Sequence, residues 1–252
     1  MVDAPLLVDA DILLYRAAAA CEHEVCFDED NHILTSNNKE AWDAVEHQIN
    51  MYREQLGDGP MHFALTGSDN FRRKLWDGYK GGRTRKPLCY GYLRDRLIGD
   101  HGARFVDTLE ADDLLGIWAT GGRLKDAIIV SLDKDLRTIP GRVWRHAANS
   151  SQEHQLFTVT EQEADYFWMT QTLTGDATDG YKGLPGTGPK TAEKILAGVS
   201  SDGLWGAVVS AFEAKGLTED DALLQARLSR ILRASDWDSN KKEVILWNPP
   251  SR

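Results

Sequence analysis

The amino-acid sequence predicts an α/β protein whose mostly parallel central sheet is flanked by helices and followed by a smaller helical domain. Four apolar stretches are typical of buried strands, at residues 5–8, 61–66, 103–106 and 127–132. Helical patterns separate these stretches, and strands that alternate with helices favour a parallel sheet covered on both faces. After residue 160 the strand signals nearly disappear. We therefore predict an α/β domain over residues 1–160 and a helical domain over residues 161–252.

The predicted helices follow from apolar residues that recur at helical spacing. In the first domain these patterns cover residues 12–20, 41–56, 88–98 and 112–119. In the second domain they cover residues 161–173, 190–196, 203–214 and 222–234. The segment 243–247 is predicted to be either a short strand or a packing extension.

Composition limits the class of protein. The chain has 252 residues, 42% of them apolar, and eight tryptophans, which is enough for a packed core. No stretch approaches the roughly 18–20 apolar residues of a membrane span. The N-terminus lacks the charged start and apolar core of a secretory signal, so we expect a cytoplasmic protein with no membrane partner. Three cysteines without metal-type spacing predict reduced thiols.

A basic and aromatic segment interrupts an acidic chain. The net charge of −10 taken alone argues against a nucleic-acid partner. Residues 71–86, however, carry seven Lys and Arg against the single acid Asp77. Such a run is commonly a solvated surface. Because aromatic residues such as Trp76 and Tyr79 are interleaved with the cations, the segment also suits phosphate contact and base stacking.

Four short motifs contain eight acidic residues. Two of these motifs come directly after predicted strands. In an open α/β sheet, residues past the carboxyl ends of the strands line one shared crevice. Carboxylates gathered there need cations to offset their repulsion. Oxygen ligands without Cys or His suit Mg²⁺ or Mn²⁺, and the sequence therefore predicts a two-metal site that hydrolyses phosphodiesters. The eight residues are Asp9, Glu110, Asp112, Asp113, Asp133, Asp135, Asp176 and Asp179.

The first two motifs also have ordinary structural explanations. Asp9 could cap the following helix, although Asp11 is the better candidate for that cap and leaves Asp9 free to face the crevice. Acids in the first turn of a helix favour the macrodipole. The three acids at residues 110–113 are more than the start of a helix needs. Glu110 and Asp113 are three positions apart and can therefore share one face of the helix.

The last two motifs leave alternatives open as well. Asp133 and Asp135 point the same way if the chain stays extended, but the same residues can form a turn. The Gly-rich stretch after Asp179 is either a set of turns or a hairpin whose backbone N–H groups cradle phosphate. It is not a P-loop, because it lacks the Gly-Lys-Ser/Thr ending.

Seven segments, in order, carry a resemblance that covers nearly the whole chain. They are VDADILLYR, LWDGYKGGR, EADDLLGI, SLDKDLRTIP, TGDATDGYKGLPGTGPKTA, QARLSRILR and EVILW. With these segments the chain resembles the 5′→3′ exonuclease and flap endonuclease superfamily, and within it the short exonucleases of podophages. The resemblance implies a PIN/FEN-like metal-nuclease fold with a C-terminal helix–three-turn–helix element at residues 174–196.

The resemblance also implies roles for the acidic residues. It implies that a first Mg²⁺ or Mn²⁺ ion is served by Asp9, Glu110, Asp112 and Asp113. It implies that a second ion is served by Asp133, Asp135, Asp176 and Asp179, some of them through water.

Further roles concern DNA contact. The resemblance implies that Lys80 and Arg83 lean over the scissile phosphate, that Arg72 binds phosphate nearby and that Tyr15 stacks on the terminal base. We add Tyr79 as a DNA-binding candidate. The Gly-rich element is expected to grip duplex backbone, commonly with a K⁺ ion, through Gly183, Gly186, Gly188 and Lys190.

One position departs from the family pattern. Members of this superfamily usually have an Asp directly after the strand that here reads FALTG, where this chain has Gly67. Asp69 comes two residues later. Either Asp69 replaces the outer metal ligand after a small loop shift, or the role is lost.

These observations lead us to expect a monomeric, divalent-metal-dependent 5′→3′ exonuclease of phage-type DNA replication or degradation. It would hydrolyse DNA at a 5′ end, nick or flap, leaving 5′-phosphate and 3′-hydroxyl products, with an RNA–DNA hybrid as a further partner. The nearest alternative is a flap endonuclease or RNA-primer-removing nuclease, although residues 69–90 are short for a full arch. An inactive DNA-binding protein is disfavoured by the complete carboxylate set, and a small α/β ribonuclease by the helical domain.

Overall fold

A five-stranded sheet forms the centre of the computed structural model, which describes residues 3–26, 31–82, 85–146 and 153–249. Its spatial order is β4-β1-β5-β6-β7. The first four of these strands run parallel, and β7 pairs antiparallel with β6, which confirms the predicted mostly parallel sheet. The strands are β1 (Leu6–Asp9), β4 (Met61–Ala64), β5 (Ile128–Val130), β6 (Gly141–Arg145) and β7 (Gln155–Val159).

Two antiparallel hairpins lie outside this sheet. The first pairs β2 (Glu22–Cys26) with β3 (His32–Ser36), and the second pairs β8 (Trp237–Asp238) with β9 (Glu243–Val244). The second hairpin includes part of the segment expected to be a short strand. The first hairpin, together with β6 and β7, was not predicted from the sequence.

Nine α-helices occur in the described residues, and each predicted helical pattern overlaps one of them, although the pattern at residues 222–234 extends past the end of its helix at Ser229. They are α1 (Ala10–Ala20), α2 (Asn38–Leu56), α3 (Arg72–Leu75), α4 (Tyr90–His101), α5 (Ala111–Thr120), α6 (Glu161–Thr174), α7 (Pro189–Leu196), α8 (Leu204–Glu213) and α9 (Glu219–Ser229).

The predicted strand at residues 103–106 is wrong. Only Arg104 bridges to β4, where its N–H donates to the Phe63 carbonyl and its carbonyl accepts from Leu65, both at 2.9 Å. The chain then turns, because Asp107 and Thr108 accept hydrogen bonds from the loop after β4 at residues 69 and 71. This segment therefore shapes the approach to α5 and adds no strand to the sheet.

The apolar residues separate into three cores. On β1, Leu6 and Val8 pack with α1, α2 and α4 on one side of the sheet, whereas Leu7 packs with α5 on the other, as the alternation of a strand requires. A third core joins α6, α7, α8 and α9 around Trp168 and Phe212. Each large apolar side chain buried in this way contributes roughly 1.5–3 kcal/mol. The helices after residue 160 thus have an apolar core of their own.

Two further properties concern cysteines and membranes. Among the described residues, Cys21, Cys26 and Cys89 form no disulfide bond. Within the described ranges, no single helix has both the length and the apolar composition to cross a membrane, and α7 with residues 201–213 meets the criterion only jointly, across a bend of 113°.

Candidate active site

The acidic motifs meet at the carboxyl ends of β1 and β5, beside the N-terminus of α5. Asp9 is the last residue of β1, Asp133 follows β5 closely, and Asp112 lies in the first turn of α5. Parallel strands deliver their carboxyl ends to one edge of a sheet. Two adjoining clefts of about 220 and 250 Å³ lie there, and both are lined by Lys80, Glu110, Asp112 and Asp133.

The two clefts divide the remaining functional side chains between them. The smaller cleft adds Asp9 and, at its rim, the half-exposed Tyr15. The larger cleft adds Asp135, Asp176 and Asp179. Seven of the eight predicted carboxylates therefore line this pair of clefts, and the exception is Asp113.

Asp9 combines a structural bond with a position in the cleft. Its Oδ1 accepts from the Ile12 N–H at 3.2 Å and so caps α1, while Oδ2 accepts from the Ser131 hydroxyl at 2.7 Å. The expectation that Asp11 forms this cap is wrong. Asp11 instead accepts from the Thr66 N–H at 3.1 Å and from the Tyr90 hydroxyl, and it lines the smaller cleft.

Asp133 and Asp135 lie in a turn. A 3₁₀ helix runs over Lys134–Thr138, and the Oδ1 atom of Asp133 accepts from the Asp135 N–H at 2.8 Å as its cap. The extended alternative is therefore wrong at this motif. The turn leaves Asp135 Oδ1 buried without a hydrogen-bond partner. A buried carboxylate oxygen without a donor requires another source of compensation.

The Asp176–Asp179 motif is joined to the basic segment by its backbone. Asp176 Oδ1 accepts from the Thr178 N–H at 2.7 Å, which closes the turn. The Asp179 carbonyl accepts from the Lys80 N–H at 2.8 Å. Lys80 has a φ of 54°, in the left-handed region that non-glycine residues rarely adopt. Contacts to residues of another motif thus hold Lys80 in an unusual conformation.

Lys80 and Tyr79 connect carboxylates of different motifs. The ammonium group of Lys80 pairs with Glu110 and lies 3.4 Å from Asp179. The Tyr79 hydroxyl donates to Glu110 at 2.8 Å and is 3.2 Å from Asp179. Because Tyr79 is only 3% exposed, its ring is not available for stacking on a base. Tyr79 does line the larger cleft, so its DNA contact stays a prediction, without base stacking.

Asp113, which lines neither cleft, forms a buried ion pair with Arg72 at the border of the larger cleft. Both guanidinium nitrogens donate to the Asp113 carboxylate at 2.8 Å, and Arg72 also donates to the carbonyls of Leu228 and Arg230. Asp113 additionally accepts from the Leu232 N–H at 3.1 Å. The predicted metal role of Asp113 and phosphate role of Arg72 are corrected by this pairing. Together they fasten α5 to the chain after α9.

Relatives of known activity match almost the whole chain. The exodeoxyribonuclease of Enterobacteria phage T3 is 30% identical, covering 98% of this chain and 93% of the relative. The chain belongs to the phage 5′→3′ exonuclease family. The exonuclease of Escherichia phage T7 is 29% identical over 97% of this chain and 93% of its own. No protein-family model matches the sequence.

The fold of this exonuclease is shared with a solved phage nuclease. A bacteriophage T5 flap endonuclease, solved in a complex with DNA and metal ions, superposes with a TM-score of 0.62 at 15% identity. The match covers 90% of this chain and 88% of that one. This match shows a shared fold, and the hydrolase class of the chain follows from its exonuclease relatives.

Three carboxyl groups of the exonuclease have strongly raised pKa values. Burial and then the neighbouring Asp11 raise the pKa of Asp9 to about 7. Burial and Asp133 raise that of Asp135 to about 7. Burial and Asp9 raise the pKa of Asp112 well above its ordinary value. These carboxylates share a site in which negative charge is poorly compensated.

Glu110 shows the opposite behaviour at the same edge of the sheet. Burial alone would raise its pKa, but Lys80 and Arg72 outweigh burial and hold the pKa at about 2. Glu110 therefore stays ionised while its uncompensated neighbours favour protonation.

The donor set fits a hard divalent cation. The clefts supply carboxylate oxygens, and Asp135 Oδ1 has no other partner. Among the described residues, no three His, Cys, Asp or Glu side chains converge tightly enough to hold an ion by themselves. Mg²⁺ commonly uses one or two carboxylates together with water and substrate phosphate. A site completed by solvent and substrate is therefore consistent with these residues.

Asp69 does not replace the missing ligand at Gly67. The carboxylate of Asp69 pairs with Lys74 at 2.8 Å on the surface and lines neither cleft. A Cβ at Gly67 would lie 2.1 Å from the Val106 carbonyl oxygen, so the close approach of two backbone segments excludes a side chain there. The predicted metal role of Asp69 is wrong, and Asp11, unlike Asp69, lines the smaller cleft.

The Gly-rich element has an exposed tip and a buried base. The backbone N–H of Gly183 is not available to phosphate, because it donates to Gln225 Oε1 at 2.9 Å. This bond corrects the predicted contact role of Gly183. Gly186 (φ 72°) and Gly188 are exposed, and Gly188 is the residue before α7. Lys190 is exposed in the first turn of that helix.

Several cleft residues escaped the sequence reasoning. Tyr181, Lys134, Ser131 and Asp11 line or support the clefts. The spacing of Asp11, two residues after Asp9, was the one signal that could have indicated a site residue. Arg83, the second predicted catalytic cation, lies outside the described residues.

Proposed function

We propose that the protein is a divalent-metal-dependent 5′→3′ exonuclease that degrades DNA. The observation that carries this proposal is the pair of adjoining clefts, which are lined by seven of the eight predicted carboxylates and share the ammonium group of Lys80. The family relation adds the activity class, since the similar phage proteins are an exonuclease and an exodeoxyribonuclease. The T5 relative was solved with DNA and metal ions.

Two sets of carboxylates are proposed to hold two ions, Mg²⁺ or Mn²⁺. Asp9, Asp112 and Glu110 serve the smaller cleft, Asp135, Asp176 and Asp179 the larger one, and Asp133 borders both. Bound ions of this kind supply an activated water and neutralise the charge that develops on phosphate oxygens. Asp9 and Asp133 are held in place by their own backbone and Ser131 hydrogen bonds.

Lys80 is proposed as the catalytic cation of the chain itself. Its ammonium group lines both clefts, so a phosphate placed between them would lie beside it. A fixed positive charge there stabilises negative charge that builds up on the phosphoryl oxygens. The hydroxyl of Tyr79 orients Glu110 and Asp179 on either side of this ammonium group. Cleavage of the bond to the 3′ oxygen leaves 5′-phosphate and 3′-hydroxyl ends.

A wider groove next to the smaller cleft is the proposed path of the 5′ strand. It encloses about 740 Å³ and is lined by Tyr15, Arg73, Lys80 and Lys86 among others. Cations suit the phosphates, and the exposed ring of Tyr15 suits a terminal base. Beyond the site, Gly186, Gly188 and Lys190 are proposed to hold duplex backbone, with K⁺ as an accompanying ion.

The test is a product analysis on nicked, blunt and 5′-flapped duplexes that carry a 5′ label, in Mg²⁺, Mn²⁺ and EDTA. We expect short 5′-phosphorylated products from nicked and blunt DNA, in either metal and not in EDTA. Release of the flap as one intact oligonucleotide, with slow attack on nicks, would instead assign a flap endonuclease, as for the T5 relative. An RNA–DNA hybrid in the same assay tests the further substrate, and light scattering tests the expected monomer.

A further inference from the structure

A third pocket lies on the outer face of α5 and shares no lining residue with the acidic clefts. It encloses about 470 Å³ between α5, the loop that follows it and the β8–β9 hairpin. Its α5 residues include Ile117 and Trp118, near the end of the helix opposite to Asp112. Leu114 also lines the pocket, so α5 contributes Asp112 to the acidic clefts and Leu114, Ile117 and Trp118 to this pocket.

The charge of this pocket is opposite to that of the chain. Its lining includes Arg104, Arg123 and His62 and contains no acidic residue, in a protein with 39 acidic and 29 basic side chains. Both arginines are exposed, and neither forms an ion pair within the described ranges. His62 Nε2 is buried without a hydrogen-bond partner. The pocket thus offers two cations and one unused polar atom.

The remaining walls are apolar and partly exposed. Trp118 and Trp237 form two of them, and Leu124 and Val106 contribute aliphatic surface. Aromatic and arginine side chains around a concave pocket are the usual composition of a protein-binding hot spot. The volume is within the range of pockets that accept a bulky side chain or small ligand, about 300–1,000 Å³.

We propose that this pocket binds an acidic peptide segment of a partner protein, with one bulky apolar residue in the pocket and its carboxylates on Arg104 and Arg123. Charge complementarity favours this occupant, because the pocket presents Arg104 and Arg123 and no lining acid in a chain with net charge −10, and its tryptophan walls give an apolar anchor site beside these cations. Nucleic acid is a poorer fit, since the tryptophan walls and the small cation count suit one anchor better than a phosphate chain.

The test uses a fluorescein-labelled peptide Gly-Asp-Glu-Asp-Leu-Phe and fluorescence anisotropy with the full-length protein. We expect saturable binding with a Kd on the order of 10–100 µM. Arg123→Glu and Arg104→Glu should each weaken it by about tenfold or more, which corresponds to ~1.4 kcal/mol. Lys125→Glu is the matched control, because Lys125 is an exposed cation in the same loop that does not line the pocket. It should change the Kd by less than about twofold.

Three results would overturn the proposal. Equal weakening by Lys125→Glu would show attraction to general charge and not to the pocket. A peptide with serines in place of Leu-Phe that binds equally well would remove the apolar anchor. Displacement of the peptide by a short duplex, with weaker DNA binding in Arg123→Glu, would assign the surface to nucleic acid. The DNA cleavage rate of each variant should stay at the wild-type value, which also shows that the variants are folded.

Discussion

Asp112 and Asp113 are neighbours in one helical turn, yet the structure uses them in opposite ways. Asp113 is fully buried and has Arg72 as a bidentate partner, so its charge is neutralised inside the protein. Asp112 is partly buried at the clefts, and desolvation together with the charges of Asp9 and Asp133 raises its pKa. The comparison teaches that burial alone does not identify a catalytic carboxylate. The missing counter-charge is what distinguishes Asp112 from Asp113.

The largest expected effect is loss of cleavage on removal of an uncompensated carboxylate. Asp112→Asn keeps the shape of the side chain and removes one negative charge from the clefts. We expect kcat to fall by about 10³-fold or more, at or beyond the upper end for one preorganised electrostatic group, while duplex binding is retained or tightened. Single-turnover cleavage and binding on the same preparation measure both. A variant that cleaves at near the wild-type rate would exclude Asp112 from the site.

The paired carboxylate should respond in stability. Asp113→Ala leaves the buried guanidinium of Arg72 without its main partner, and loss of one partner of a buried ion pair costs about 3–5 kcal/mol. The free energy of unfolding in urea should fall by that amount. If Asp113→Ala were as stable as the wild type but inactive, Asp113 would belong with the metal ligands and the comparison would fail.

Lys80 tests the distinction between carboxylates with and without a counter-charge, because its ammonium group pairs with Glu110 inside the clefts. Lys80→Ala should lower kcat by about 10²–10³-fold, the scale for one electrostatic stabiliser, with a much smaller change in KM. Lys74→Ala, which removes an exposed lysine paired with Asp69, is the control and should leave kcat unchanged. A change confined to KM would make Lys80 a binding residue.

The uncompensated carboxylates should also make stability depend on pH. Asp9 and Asp135 have pKa values of about 7 when folded and an ordinary value of 3.8. Folded chains therefore hold protons that unfolded chains lose, so the metal-free stability contributed by these two groups is greatest below pH 3.8 and is lost as pH rises through about 7. Each kcal/mol lost lowers Tm by about 2–4 °C. Mg²⁺ should flatten this slope, and so should Asp135→Asn; an equally steep slope in that variant would contradict the assignment.

The smallest expected effect lies away from the clefts. Lys190 is exposed at the start of α7, and Lys190→Ala should weaken duplex binding alike for unrelated sequences and reduce the salt slope by about one unit. Cleavage at saturating DNA should stay close to wild type. Duplex affinity measured as a function of salt, together with the saturated cleavage rate, separates an effect on binding from an effect on catalysis. Lys241→Ala is the exposed control. A fall in the saturated rate at unchanged affinity would place the Gly-rich element in the active site.

Sequence reasoning recovered the elements whose causes are local. The helices follow from apolar spacing, and the acidic edge follows from Asp9 and Asp133 standing after apolar strands. The strand at residues 103–106 was wrong because hydrogen bonds from the loop after β4 divert the chain there. The short hairpin strands β2 and β3 were missed because their residues are mostly exposed, which leaves no apolar alternation to detect.

The role of each individual carboxylate depends on its hydrogen-bond or ion-pair partner, which the sequence does not reveal. Arg72 lies 41 positions from Asp113, and nothing in either motif indicates that they meet. Spacing also could not show that Asp9 caps α1 while Asp11 accepts from Thr66 and Tyr90. In each case the motif was located correctly, and the role of the individual carboxylate depended on a partner brought in by the fold.

The central claim is that the uncompensated carboxylates exist to hold the metal ions of the reaction. The most direct test is single-turnover cleavage of a nicked duplex as Mg²⁺ is titrated from zero, in the wild type and in Asp112→Asn. We predict no cleavage in EDTA, a saturable rise with Mg²⁺ in the wild type, and a rise in Asp112→Asn that needs far more Mg²⁺ or stays near zero. Cleavage in EDTA, or the same Mg²⁺ dependence in both proteins, would contradict the account.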